Sequence, residues 1–123
     1  SDVMHTGRDM PLVASGSQLT TALEEMSAKG LGMTGTVNPE GHLIGIYTDG
    51  DVRRSINRSI DVKTTVIDQV MVSDPRSTAA DALAAEVVQL MRQHSINGLF
   101  AVDPEQRPIG ALNALDLIRA GIF

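Results

Sequence analysis

Shifted against itself by 65 positions, the sequence meets itself again. This constrains the fold more than any single motif, because a fixed period marks a repeated structural unit. Met26 falls on Met91, Val37 on Val102, Pro39 on Pro104, Glu40 on Glu105, Ile44-Gly45 on Ile109-Gly110, Asp51 on Asp116 and Arg54 on Arg119. Leu31 with Ile96, Asn38 with Asp103 and Val52 with Leu117 are conservative matches in the same register. Val3-Met4 meets Val70-Met71 at an offset of 67 instead, so an insertion of a few loop residues separates the opening segment from the rest of one copy.

Each copy carries the same local signals. In the first, Ser15 and Ser17 are N-cap candidates, Leu19, Leu23 and Met26 follow at helical spacing, and Gly30 stands where a helix closes. Met33 to Val37 reads as a strand, Asn38-Pro39-Glu40-Gly41 as a turn, Leu43 to Tyr47 as a second strand, and about Asp49 to Ile56 as a short helix. The second copy predicts a helix from about Ala79 to Gln93, strands at Leu99 to Val102 and Ile109 to Leu112, and a helix from Leu115. Thr65 to Met71, between the copies, predicts a helical turn. One such unit leaves a face of its small sheet uncovered, so two units are expected to pack about a pseudo-twofold axis around one core. The expectation is a mixed α/β (α+β) fold with copies at residues 1–60 and 61–123.

Composition narrows the function. Aromatic residues make up 2% of the chain, so aliphatic side chains and Met must fill the core. The net charge is −5, which with so few aromatics argues against a nucleic-acid partner. Cysteine is absent, which excludes disulfides and thiolate metal sites. His5, His42 and His94 do not stand at metal-ligand spacing, so no metal is expected. No apolar run approaches the ~20 residues of a membrane span, and the start Ser1-Asp2-Val3-Met4-His5 lacks the features of a signal peptide. A cytoplasmic fragment of a larger protein is the expectation.

The motif with chemistry in it is Thr48-x-x-Asp51, placed after a strand and at a helix start. Such a junction offers free backbone N–H groups to an anion. A Thr hydroxyl there can donate to a phosphate oxygen, and an Asp one turn on can accept from two ribose hydroxyls. The same spacing also makes a capping box, with Thr48 as N-cap and Asp51 at N3. Asn113-x-x-Asp116 repeats the pattern with Asn in the Thr place, and capping and ligand binding are compatible in both. Arg53 is the candidate for a charge-assisted contact to a phosphate or sugar carboxylate.

Gly45-Ile46-Tyr47-Thr48-Asp49-Gly50-Asp51 and Gly110-Ala111-Leu112-Asn113-Ala114-Leu115-Asp116, in a duplicated β-α-β-β-α pattern, resemble the CBS (cystathionine-β-synthase-type) domain. More narrowly, Asp2-Val3-Met4-His5-Thr6-Gly7, Gly32-Met33-Thr34, Tyr47-Thr48-Asp49-Gly50-Asp51-Val52-Arg53-Arg54 and Asp116-Leu117-Ile118-Arg119-Ala120-Gly121 resemble the C-terminal half of bacterial arabinose 5-phosphate isomerases. The resemblance implies a regulatory pair whose isomerase domain, with its catalytic residues, lies elsewhere in the parent protein. It implies that Met33-Thr34 and Asn97-Gly98 hold a base, and that the pair dimerises through helix faces. Its candidate ligands are CMP-Kdo, end product of the Kdo branch of lipopolysaccharide or capsule synthesis, or an adenine nucleotide; no cofactor is required. The alternative is a structural oligomerisation module without ligand. Nothing in the chain supplies a nucleophile with a tuned base, so no catalysis is expected of it.

Overall fold

The computed structural model describes residues 3–122, and Asp2 of the opening motif lies outside the described residues. The elements are β1 (Leu12–Ala14), α1 (Leu19–Lys29), β2 (Met33–Val37), β3 (Leu43–Thr48), α2 (Asp49–Asn57), β4 (Val72–Ser73), β5 (Ser77–Ala79), α3 (Ala84–Gln93), β6 (Gly98–Val102), β7 (Pro108–Asn113) and α4 (Ala114–Arg119). They form two sheets, ordered β1-β2-β3-β4 and β5-β6-β7. The first pair in each sheet is parallel and the second antiparallel.

The 65-residue period is obeyed down to the ladder. Leu12 stands opposite Gly35 and Ser77 opposite Phe100; Met33 opposite Thr48 and Gly98 opposite Asn113. The antiparallel register slips between Thr36 and Val37 in one sheet and between Ala101 and Val102 in the other. The opening segments keep a different offset because each pairs with the other repeat. His5 exchanges backbone bonds of 2.7 and 2.9 Å with Ala111, while β4 lies against Gly45 and Ile46 of β3. Met4 covers Gly110, where a Cβ would stand 2.7 Å from its sulfur, and Met71 covers Gly45 in the same way. A side chain at either glycine would meet a packed thioether, which is why the strand needs no Cβ there.

The core joins the repeats. Leu31, Met33, Leu43 and Ile46 pack with Phe100 and Ala111 in one buried cluster, flanked by one cluster under each repeat's helices. Positions related by the period are filled complementarily across the axis. Phe100 lies over Gly35, whose Cβ would be 2.9 Å from the ring, and Met33 lies over Gly98, whose Cβ would be 2.7 Å from sulfur. Each large side chain fills the space its small counterpart leaves, as close packing requires.

Several local expectations change. The leading strand of the β-α-β-β-α pattern is β1 in one copy and β5 in the other, and α3 begins at Ala84 and not near Ala79, because Ser77–Ala79 pairs in parallel with β6. α1 is capped by Gln18 without a side-chain bond, since the Ser15 hydroxyl and Gly16 N–H are taken by Asp68. Burial pushes the Asp68 carboxyl up, but these two donors together with the residue's own backbone N–H outweigh it and hold the group below its ordinary range. Gly30 closes α1 at φ 69, as its place suggested. The turn after the first copy is a single 3-10 turn at Ile67–Gln69, with Ile67 fully buried. No helix is long and apolar enough to cross a membrane among the described residues.

Candidate functional site

At the first strand-to-helix junction, Thr48 has an extended backbone and α2 starts at the next residue. The Asp51 N–H donates to Thr48 Oγ1 at 3.4 Å, and Asp51 Oδ2 accepts from the Thr48 N–H at 2.9 Å and its hydroxyl at 3.0 Å. The capping box is therefore formed. The other oxygen, Asp51 Oδ1, accepts from Arg54 Nη2 at 2.5 Å. The Asp51 side chain is 8% exposed and that of Arg54 67%, so a buried carboxylate is neutralised by a guanidinium free to swing into solvent. The arginine that meets the carboxylate is thus Arg54, while Arg53 is exposed on α2.

The second junction repeats this with different outer contacts. The Asp116 N–H donates to Asn113 Oδ1 at 2.9 Å and the Asn113 N–H to Asp116 Oδ2 at 2.8 Å. Asp116 Oδ1 accepts from His5 Nε2 at 2.9 Å, across 111 residues of sequence. Asn113 Nδ2 also donates to the Leu31 carbonyl at 3.3 Å, a bond from the second repeat into the first that a Thr hydroxyl has no second donor to make.

The loops that open the central strands are tied to these helix starts. The Asp49 N–H donates to the Gly32 carbonyl at 3.0 Å, and the Ala114 N–H to the Asn97 carbonyl at 2.8 Å. Gly32 holds φ +74 with the Asp49 carboxylate 2.9 Å from where a Cβ would be, so glycine is required. Met33 and Thr34 are buried, Asn97 is exposed and Gly98 half-buried. Asn97 and Ala114 border an open depression of about 290 Å³ that Met91, Arg92, Ser95 and Ile96 complete. A larger one of about 640 Å³ lies on the outer face of α3 against Ile122, away from both carboxylates. Among the described residues, no three His, Asp or Glu side chains gather as metal ligands do.

The local motifs do not disclose Arg54 and His5 as partners of the two carboxylates. The spacing of Arg54 three residues after Asp51 is a signal for a helical pair. His5 has no local signal, because its partner is brought to it only by the exchanged opening segment.

A family model described as CBS domain matches residues 1–58 and 67–122. Arabinose 5-phosphate isomerase KdsD of Pseudomonas aeruginosa is 50% identical over 122 residues, covering 99% of this chain and 37% of that protein. KdsD of Escherichia coli K12 is 35% identical over the same share of each chain. The chain thus spans 37% of the length of these curated relatives. Among solved structures, the CBS domain pair of protein MJ0100 in complex with 5′-methylthioadenosine and S-adenosyl-L-methionine superposes with a TM-score of 0.83 at 20% identity, over 98% of this chain and 96% of that one. CBSX2 in complex with AMP gives 0.83 at 21% identity, over 98% and 93%. Identities this low speak for the fold.

Proposed function

The chain belongs to the CBS domain family, and from that premise we propose that it is a regulatory pair that senses a nucleotide or nucleotide-sugar and performs no catalysis of its own. The observation that carries the reading is the doubled cradle: two carboxylates, Asp51 and Asp116, one turn into a helix, each with one oxygen spent on the cap and the other held by a side chain able to leave. Such an oxygen can accept from a ribose diol. Thr48 or Asn113 beside it can turn a donor toward a phosphate, with Arg53 in reach of an anionic group from the exposed side of α2. Met33, Thr34, Asn97 and Gly98 would then shape the base site, the first two from beneath as packing and the last two at the open side. The adenosine ligands of MJ0100 and CBSX2 favour an adenine nucleotide. The similarity to arabinose 5-phosphate isomerases favours CMP-Kdo as a feedback signal acting, in the cytoplasm, on an isomerase domain of the parent protein.

A second reading has its own observation. Ile56, Leu115 and Ile118 are 66%, 47% and 55% exposed on α2 and α4, an apolar face suited to a homodimer. That face serves a sensor or a purely oligomerising module equally well. Thermal unfolding with AMP, ADP, ATP, CMP and CMP-Kdo separates the two. A ligand present at about a hundredfold its Kd stabilises the folded state by about 2.7 kcal/mol, a shift of several degrees. A shift with one ligand supports the sensor. A well-folded dimer with no shift for any of them leaves the oligomerising module.

A further inference from the structure

The two cradles differ in what holds the outer carboxylate oxygen. At Asp51 it is Arg54, from the same helix and largely exposed, so releasing it moves one side chain. At Asp116 it is His5, from the opening segment. The residue matching His5 in the second opening segment is Val72, which has no polar side-chain atom and is 48% exposed. The His5 imidazole is 36% exposed and Asp116 12%, so the imidazole sits at the surface with the carboxylate below it. The opening segment is also held by the two His5–Ala111 backbone bonds and by Met4 over Gly110.

We infer that His5 is a gating residue of the second cradle: it occupies the Asp116 oxygen that a ligand's vicinal diol would take, so that a ligand binding there displaces the imidazole and loosens the segment from Val3 to Thr6, while the first cradle has no such link. The inference rests on the nucleotide reading above. Asp116 Oδ2 stays committed to the Asn113 N–H, which leaves Oδ1 as the exchangeable position. Loss of the imidazole bond weakens the tie between the segment and the β7–α4 junction, and the two His5–Ala111 backbone bonds open more often. Occupancy of the second cradle is thereby converted into mobility of the opening segment, whereas occupancy of the first stays local to α2.

The test is amide hydrogen exchange at position 5 and at Ala111, measured on the chain and on His5→Ala and His5→Gln, with and without AMP. Without ligand, His5→Ala should speed exchange of both amides several-fold and His5→Gln, which restores a donor, should return most of the protection. With AMP, the unsubstituted chain should show the same acceleration. His5→Ala should bind AMP about tenfold more tightly, since no charge-assisted bond has to be displaced, and should show no further acceleration on binding. AMP bound with both amides unmoved, or His5→Ala indistinguishable in exchange and affinity, overturns the gate and leaves the nucleotide reading standing. No binding of AMP, ADP, ATP, CMP or CMP-Kdo to any of the three proteins removes the nucleotide reading and the gate with it.

Discussion

Under the helices of the first repeat the chain buries Thr34, Thr36 and Tyr47, with Ser55 of α2 against them; at the equivalent places the second repeat has buried Leu99, Ala101 and Leu112, and exposed Ala120. Tyr47 and Ser55 satisfy each other through a 2.7 Å hydrogen bond, whereas Thr36 Oγ1 has no partner among the described residues. Yet the two sheets share register, slip and capping geometry position by position. The difference teaches that the backbone of each repeat follows from what the copies keep, namely the turn at Asn38 or Asp103, the glycines at 45 and 110, and the boxed helix starts. The filling is free to be polar or apolar as long as it is dense, with Thr36 Oγ1 as an unsatisfied exception among the described residues. Across the axis that freedom is lost, because Met33 over Gly98 and Phe100 over Gly35 make each repeat the complement of the other.

The comparison breaks most visibly at the axis. Phe100→Ala leaves the space over Gly35 empty and should cost about 3–5 kcal/mol, read as a lower denaturant midpoint at unchanged m-value; a cost below about 1 kcal/mol would mean that Met33 or Leu43 closes the gap instead. The boxed helix starts come next. Thr48→Ala should cost about 1 kcal/mol, and Asn113→Ala somewhat more because it also removes the bond to the Leu31 carbonyl; equal losses would show that the cross-repeat bond adds nothing. Thr36→Val replaces an unsatisfied buried hydroxyl with a methyl of similar size and should stabilise by about 1 kcal/mol. A loss on equilibrium unfolding would show that the hydroxyl has found a partner, such as a buried water.

The smallest effect concerns Asp68, whose lowered carboxyl ties the first repeat's β1–α1 turn to the 3-10 turn at Ile67–Gln69. A carboxyl lowered in the folded state binds its proton less readily there than in the unfolded chain. Its contribution is present above the unfolded value of about 3.9 and fades as pH falls through the folded one. Because the group is only half-buried and screened by solvent, that contribution should stay below about 1 kcal/mol. Asp68→Asn should make the acid limb of stability against pH shallower, and an unchanged limb would assign acid sensitivity to other carboxylates.

The repeat, both β-hairpins, the second helix of each copy and both capping boxes are legible in the sequence, because turn residues, caps and alternating burial are local signals. β1 and β5 carry no such signal and enter only through the family resemblance, since three residues such as Leu12–Ala14 become a strand only by pairing with a partner twenty-odd positions on. Ser15 looks like a cap in sequence because its true partner, Asp68, stands 53 residues away. The segment exchange that sets Met4 on Gly110 leaves only one trace, the offset of 67 between the opening segments in place of 65. The candidate site divides the same way: Thr48, Asp51, Asn113 and Asp116 stand in one local motif each, while His5 reaches Asp116 only through the fold.

The most direct measurement of the central claim is isothermal titration of AMP into the chain, Asp51→Asn and Asp116→Asn, since asparagine keeps an acceptor for the cap N–H while removing the charge a ribose diol would meet. The account predicts saturable binding that at least one of the two substitutions weakens about tenfold or more, with both variants still folded. Identical isotherms for all three proteins, with AMP and again with CMP-Kdo, would contradict it, because the carboxylates would then be helix caps and nothing more.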